Sequence, residues 1–398
     1  VEALAVLAAL RLGAGYQALL FAEAAQRSDG PFISAGPGAV DLMARRFETG
    51  DYFGSVKIDR NVYPPASYAM LWPFVSAASI PLVRWIWALV LTGSFAWLCR
   101  TCARASGFAD PLARLAFGML PLTFLATSSS ISTGQLSPVV IALLVASVVR
   151  FARFSGARHD GAIGAALFTL ASVKPTLAAP FGWLLLFVPR SLGPSFLASA
   201  FYGGLTAVSL LARRVRVGSA PALPTAVTGA HVRVPSLEIT RKMFAPGYSN
   251  LQNLFVFMGY DRPFVFLPPL VATALLGPWA WRHRRDDPWV LLGVTGLVAR
   301  FAFYHRGYDD LLVVPALVAL ARLVSGAMIL PGGGRATVPP RIARVAFAVL
   351  LAAVVPMLLP RDFPPKEIRG MASTAGWGAA LLLLGFVARP GRLAAADA

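Results

Sequence analysis

Charged side chains are scarce in this chain. They make up 14% of its 398 residues, with 18 acids set against 36 lysines and arginines. A soluble protein of this length carries roughly a quarter charged residues and divides into two or three domains. With 57% hydrophobic residues and a mean hydropathy of +0.65, the shortage excludes an ordinary soluble enzyme and predicts one integral membrane domain over 1–398. Cysteine is almost absent: Cys99 and Cys102 stand three apart at the end of an apolar run. Outside a strand–helix context that spacing predicts small helix-end residues rather than a redox pair, and no cysteine or histidine array suits zinc. Also missing are a glycine-rich phosphate loop, a soluble strand–helix series and a soluble Asp-x-Asp metal motif, which excludes a nucleotide-sugar fold. The net charge of +18 sits in short clusters between apolar runs. That is the pattern of a polytopic membrane protein and not of a nucleic-acid binder.

What is present is a series of apolar runs, near 3–24, 66–79, 82–99, 111–127, 136–152, 161–173, 176–189, 195–212, 263–281, 288–304, 310–325, 341–359 and 371–388. They predict an all-α bundle of roughly eleven to thirteen transmembrane or re-entrant helices. The first run contains Arg11 and lacks a clear cleavage site after it, so it is expected to be a retained span. Pro73 and Pro81 leave the 66–99 region to cross once or twice. Lys174-Pro175 breaks 161–189 into a hairpin or two half-helices. Arginines at 100, 104, 150, 153, 158, 190, 282, 284, 285, 341, 344, 389 and 392 mark one side, assigned to the cytoplasm. If 66–99 makes one net crossing, two long loops, 27–65 and 213–262, fall on the extracytoplasmic side of the plasma (inner) membrane. Arg213, Arg214 and Arg216 run against the charge rule there. Residues 247–261 have the pattern of a short helix lying on the membrane.

Polar residues return to that outer side five times. The first loop carries Asp41, Arg45 and Glu48 at i, i+4, i+7 spacing, then Asp51 and the Tyr63-Pro64-Pro65 that enters the next run. An outward-facing aspartate beside lipid can take a proton from an incoming hydroxyl, although a helix-capping aspartate in a solvated loop would look the same. Thr133-Gly134-Gln135 is a tight turn offering an amide donor and acceptor. Lys174 stands between apolar segments, where a cation is costly unless it snorkels or holds an anion. Tyr248, Ser249, Asn250, Gln252 and Asn253 suit a polyol such as a sugar. Finally His305, Arg306, Tyr308, Asp309 and Asp310 crowd one turn between two spans, with His305 able to bind a phosphate oxygen or act as an acid. Asp41, Asp51 and Asp309 together are the hard oxygen donors that would share a divalent cation if one is used.

In order and spacing, Asp41, Gly50-Asp51, Tyr63-Pro64-Pro65, Gly134-Gln135, Lys174-Pro175, Asn250 to Leu254, and His305 with Tyr308-Asp309 give the chain its family likeness. It resembles glycosyltransferase family 87, the polyprenyl-phosphate-sugar-dependent membrane transferases with the GT-C fold, over roughly 35–325. The resemblance implies transfer of mannose or another hexose or pentose from a polyprenyl-phosphate carrier to a lipid or glycan acceptor, with inversion. It implies Asp41 as general base, with Asp51 ten residues on as the second candidate. The family's loop commonly has an aromatic soon after its aspartate, where this chain has Leu42-Met43. Lys174, helped by His305 or Arg306, would stabilise the departing phosphate. Gln135, Tyr63, Tyr308, Asp309, Asn250 and Asn253 would contact substrate. Broken helices and a buried lysine also suit a transporter or flippase of a lipid-linked or small polar solute. Against that, the polar groups gather at one face and no inverted repeat is visible. An accessory subunit without catalysis would tolerate alanine at Asp41 and His305.

Overall fold

The computed structural model describes residues 1–21, 64–75, 80–153, 158–189, 191–217, 250–251, 267–303, 307–328, 338–359 and 366–388. Among them the protein is helical, without a strand. Helix α1 spans Glu2–Phe21, α2 Pro65–Val75, α3 Ile80–Ala105, α4 Pro111–Thr123, α5 Leu125–Ser132, α6 Ser137–Arg153 and α7 Arg158–Ala171. After these come α8 at Pro175–Phe187, α9 at Gly193–Val217, α10 at Leu267–His283, α11 at Pro288–Ala302 and a 3₁₀ turn at Gly307–Val313. The chain then forms α12 at Val314–Val324, α13 at Pro340–Leu358 and α14 at Lys366–Val387.

Among the described residues five helices can cross a membrane by length and composition: Glu2–Leu20, Leu82–Ala105, Gly193–Leu211, Pro340–Leu358 and Ile368–Val387. Joined as one span, α4 and α5 make a sixth, bent by 47°. Pro121 lies inside α4, and the Thr127 hydroxyl donates to the Pro121 carbonyl across the bend, so a carbonyl left over at the helix end is satisfied by a side chain. The protein is thus a polytopic helical membrane protein. The long helices leave large apolar side chains uncovered, among them Leu10, Leu89, Phe196 and Leu382, which is the surface a lipid-facing helix presents.

The 66–99 region resolves into two helices of unequal reach. α2 has 11 residues, about 16 Å at 1.5 Å each, half of a bilayer core of about 30 Å. Among the described residues of this region only α3, with 26 residues, is long enough to cross, so one full-length span is described there. The second long loop also begins later than expected: α9 continues through Arg213 and Arg216 to Val217. Arginine is a good helix former, so charge alone does not end the element there. Of the 247–261 stretch read as a surface helix, all but Asn250 and Leu251 lies outside the described residues.

α11 and α12 form the centre. Both are buried on nearly all sides, yet they have only 15 and 11 residues, so they are interior helices packed by protein rather than lipid-facing spans. Glycines let them touch. A Cβ on Gly293 would come within 2.8 Å of Ala316 Cα, and one on Gly296 within 2.5 Å of the Leu312 carbonyl oxygen.

Two polar centres sit at opposite ends of this hairpin. At one end Asp287 caps the start of α11, accepting from Trp289 N–H at 2.9 Å. Its carboxylate is held by Arg322 Nε at 3.0 Å and Nη2 at 2.8 Å, near the end of α12. Arg322 also donates to the carbonyls of Ala105 and Ala327, and Ser325 Oγ donates to Ser106 O. The C-terminus of α3 is thereby tied to the same end. Cys99 and Cys102 are free thiols on α3. The other end carries the candidate site.

Candidate active site

The site is built at the break after α7. Pro175 bars helical geometry at the residue before it, so α7 stops at Ala171 and the chain turns tightly through Ser172, Val173 and Lys174. Lys174 ends up as the N-terminal cap residue of α8, with Pro175 in its first turn. Its side chain lies inside the bundle at 9% exposure. The ammonium Nζ lies 2.6 Å from Asp309 Oδ1 and donates to Ser137 Oγ at 3.0 Å. It also sits 4.9 Å from the centre of the Tyr308 ring. Ser137 Oγ in turn donates to Asp309 Oδ1 at 2.5 Å. Three segments, from α6, the α7–α8 break and the 3₁₀ turn, are closed into one triangle.

The 3₁₀ turn decides which aspartate goes where. At three residues per turn, successive side chains point about 120° apart, so neighbouring acids cannot share a partner. Asp309 faces Lys174 and Ser137. Asp310 turns to Arg300, near the end of α11, whose Nε and Nη2 each reach Asp310 Oδ1 at 2.7 Å. Arg300 is buried and lies over the Trp377 ring at 5.1 Å, which brings α14 to the same centre.

Gly134 shapes the opposite wall. Its φ of +59° is a left-handed conformation that costs a glycine nothing and an L-residue about 1–2 kcal/mol. The turn is pinned on both sides: Trp87 Nε1 donates to Gly134 O at 3.0 Å, and Gln135 N–H donates to Ser130 O at 2.8 Å. The Ser130 hydroxyl donates to Tyr308 O at 3.1 Å. Residues 130–137 therefore wrap the 3₁₀ turn from two attachment points, Ser130 and Ser137. Gln135 lies between them at 1% exposure, and its Nε2 is buried without a hydrogen-bond partner among the described residues.

The structure thus brings together Lys174, Asp309, Tyr308 and the segment carrying Gln135. Asn250 is buried. Asp41, Asp51, Tyr63, Asn253, His305 and Arg306 lie outside the described residues. Two participants were not singled out from the sequence. Ser137 bridges the ion pair, and its only signal is a Ser-Pro at the start of a run. Arg300 fixes the second aspartate, and its signal is a lone arginine inside an apolar segment, which is as informative as Lys174 was. Among the described residues no three His, Cys, Asp or Glu side chains form a metal-binding group.

A cation fixed by a carboxylate and a hydroxyl, at one end of the bundle, can hold a phosphate without changing position. Two of the three N–H donors on Lys174 are used by Asp309 and Ser137, and lysine has three to give. A family model described as glycosyltransferase family 87 matches residues 61–325, more than half of the chain. The matched stretch contains Gln135, Ser137, Lys174 and Asp309 and begins after Asp41 and Asp51. No curated protein and no solved structure matches the chain.

Proposed function

The chain belongs to glycosyltransferase family 87 and is a membrane glycosyltransferase; from that premise we propose that it takes its sugar from a polyprenyl-phosphate carrier. The observation that carries this reading is the buried Lys174 ammonium, held by Asp309 and Ser137 where the chain breaks between α7 and α8. A lipid-linked donor would enter sideways from the bilayer, so its phosphate needs a fixed cation inside the helix bundle, and a buried lysine at a helix break supplies one.

In the proposed reaction an acceptor hydroxyl oxygen attacks the anomeric carbon of the sugar. The bond from that carbon to the phosphate oxygen breaks, and its electron pair leaves with the polyprenyl phosphate. The acceptor's proton passes to the Asp41 carboxylate, with Asp51 as the second candidate base. Lys174 stabilises the charge that grows on the departing phosphate, helped by His305 or Arg306. Attack opposite the leaving group inverts the anomeric centre through an oxocarbenium-like state. Tyr63, Tyr308, Asn250 and Asn253 supply the hydrogen-bonding groups a mannosyl or pentosyl unit needs. The fold is of the GT-C type, and the site faces the extracytoplasmic side of the plasma membrane, where a lipid or glycan acceptor waits.

The test is transfer of radiolabelled sugar from polyprenyl-phosphate-mannose or polyprenyl-phosphate-arabinose in membranes holding wild type, Asp41→Ala or Asp51→Ala. Activity abolished only by Asp41→Ala supports both donor class and base. Loss only with Asp51→Ala keeps the donor class and moves the base ten residues. Failure of folded wild type to use either donor overturns the reading.

A further inference from the structure

Gln135 is among the most enclosed polar side chains near the site, at 1% exposure, and its amide nitrogen Nε2 is buried with no hydrogen-bond partner among the described residues. Buried polar groups in folded proteins are nearly always paired, so such an amide needs an explanation. Local accident does not supply one, because the backbone around it is tightly fixed. Gly134 O accepts from Trp87, Gln135 N–H donates to Ser130 O, and two residues on Ser137 is locked to Asp309 and Lys174. The residue stands two positions from Ser137, whose hydroxyl meets the Lys174 ammonium, and its two amide N–H donors are unspent among the described residues.

Resting on the reading of the protein as a polyprenyl-phosphate-sugar transferase, we propose that the Gln135 amide is kept unpaired for the donor. It gives a hydrogen bond to an acceptor oxygen of the glycosyl phosphate bound at Lys174, and so sets donor affinity. The group it meets must be an acceptor, because Nε2 can only donate. Two oxygens of the same donor fit: a non-bridging phosphate oxygen next to the Lys174 ammonium, or a hydroxyl oxygen of the sugar attached to it. Asp309 already offers a carboxylate to this centre. A neutral donor beside Lys174 adds hydrogen bonding without adding further charge to the interior.

Gln135→Leu separates a ligand-reserved amide from a structural one. Replacing an unpaired buried amide by an apolar group of similar shape leaves stability unchanged or raises it. Purified wild type and Gln135→Leu would be melted in detergent, alone, with polyprenyl phosphate, and with polyprenyl-phosphate-mannose. The expected result is an unligated melting temperature for Gln135→Leu at or above wild type, with donor affinity weakened roughly tenfold to a hundredfold. If Gln135 meets the phosphate, polyprenyl phosphate and its mannosyl form lose affinity alike; if it meets the sugar, only the mannosyl form does. Gln135→Glu, which puts an acceptor in place of the donor, should lose affinity further. Equal affinity of wild type and Gln135→Leu for both ligands overturns the inference and leaves the donor reading intact. A lower unligated melting temperature for Gln135→Leu also overturns it, since the amide then serves the fold. If neither ligand shifts wild type, the donor reading fails and takes this inference with it.

Discussion

Lys174 Nζ and Asp309 Oδ1 stand 2.6 Å apart, although 135 residues of chain separate them. Both are buried, so the pair has given up hydration at both ends and each partner depends on the other. Removing one partner of such a pair costs about 3–5 kcal/mol, because a lone charge is left inside, whereas replacing both by apolar residues can be close to neutral. Lys174→Met and Asp309→Leu should therefore each lower the melting temperature clearly, and the double variant should recover much of that loss. Transfer activity separates the two functions of the pair: every variant lacking Lys174 should stay inactive, however stable it is. A double variant as unstable as the sum of the two singles would show that the pair is not coupled.

The Gly134 turn offers a test of the site's wall. At φ +59° an alanine pays about 1–2 kcal/mol for the left-handed backbone, and relaxing that strain would rotate Gln135 and Ser137 away from Lys174. Gly134→Ala should raise the donor KM more than it lowers kcat, in a transfer assay at varied donor concentration. Trp87→Phe keeps the ring but removes the N–H bonded to Gly134 O, and should shift KM in the same direction by a smaller amount.

The features that reached the site from sequence reading were punctuated by proline and glycine. Pro175 announces a helix break wherever it stands, so Lys174 could be placed at one; Gly134 announces a turn, which placed Gln135. What each polar group touches was not legible in the same way. The sequence Tyr308-Asp309-Asp310 offers two equivalent acids, and only the 3₁₀ geometry sends Asp309 to Lys174 and Asp310 to Arg300. Ser137 reads as an ordinary helix start until the fold brings it under the ion pair. Hydrophobicity also hid the difference between a lipid-facing span and an interior helix. The runs at 288–304 and 310–325 are as apolar as any in the chain, but α11 and α12 are short and enclosed by protein, and an all-round apolar pattern fits both cases.

The enclosed hairpin makes its own prediction. The missing Cβ of Gly296 is what lets the Leu312 carbonyl approach, at 2.5 Å from where that carbon would stand. The obstacle is backbone of the 3₁₀ turn, which cannot swing aside as a side chain would. Gly296→Ala should push Gly307–Val313 outward and misalign Asp309 with Lys174. Overpacking of this kind costs about 1–3 kcal/mol, so folded protein should remain in reach. Transfer should fall at least tenfold while the protein still purifies as a single species; wild-type activity in that variant would mean the turn's position is not critical.

Arg322 and Asp287 form the second buried ion pair, at 2.8 Å, and a comparison with Lys174 and Asp309 distinguishes stability from function. Arg322 joins α12 to the cap of α11, to the end of α3 through Ala105 O, and to its own turn through Ala327 O. Its donors are occupied by fold partners at the end of the hairpin away from Lys174. Arg322→Met strands the Asp287 carboxylate, which is fully enclosed, and should destabilise by about 3–5 kcal/mol as the other single variants do. The donor KM of whatever fraction remains folded should match wild type, because nothing that touches Lys174 has moved. Melting and donor titration on the same preparations read both quantities. Equal losses of stability with unequal effects on KM would assign the Lys174 end to chemistry and the Arg322 end to the fold. A raised KM in Arg322→Met would instead mean that the α11–α12 hairpin transmits strain along its length, and that the two centres act as one.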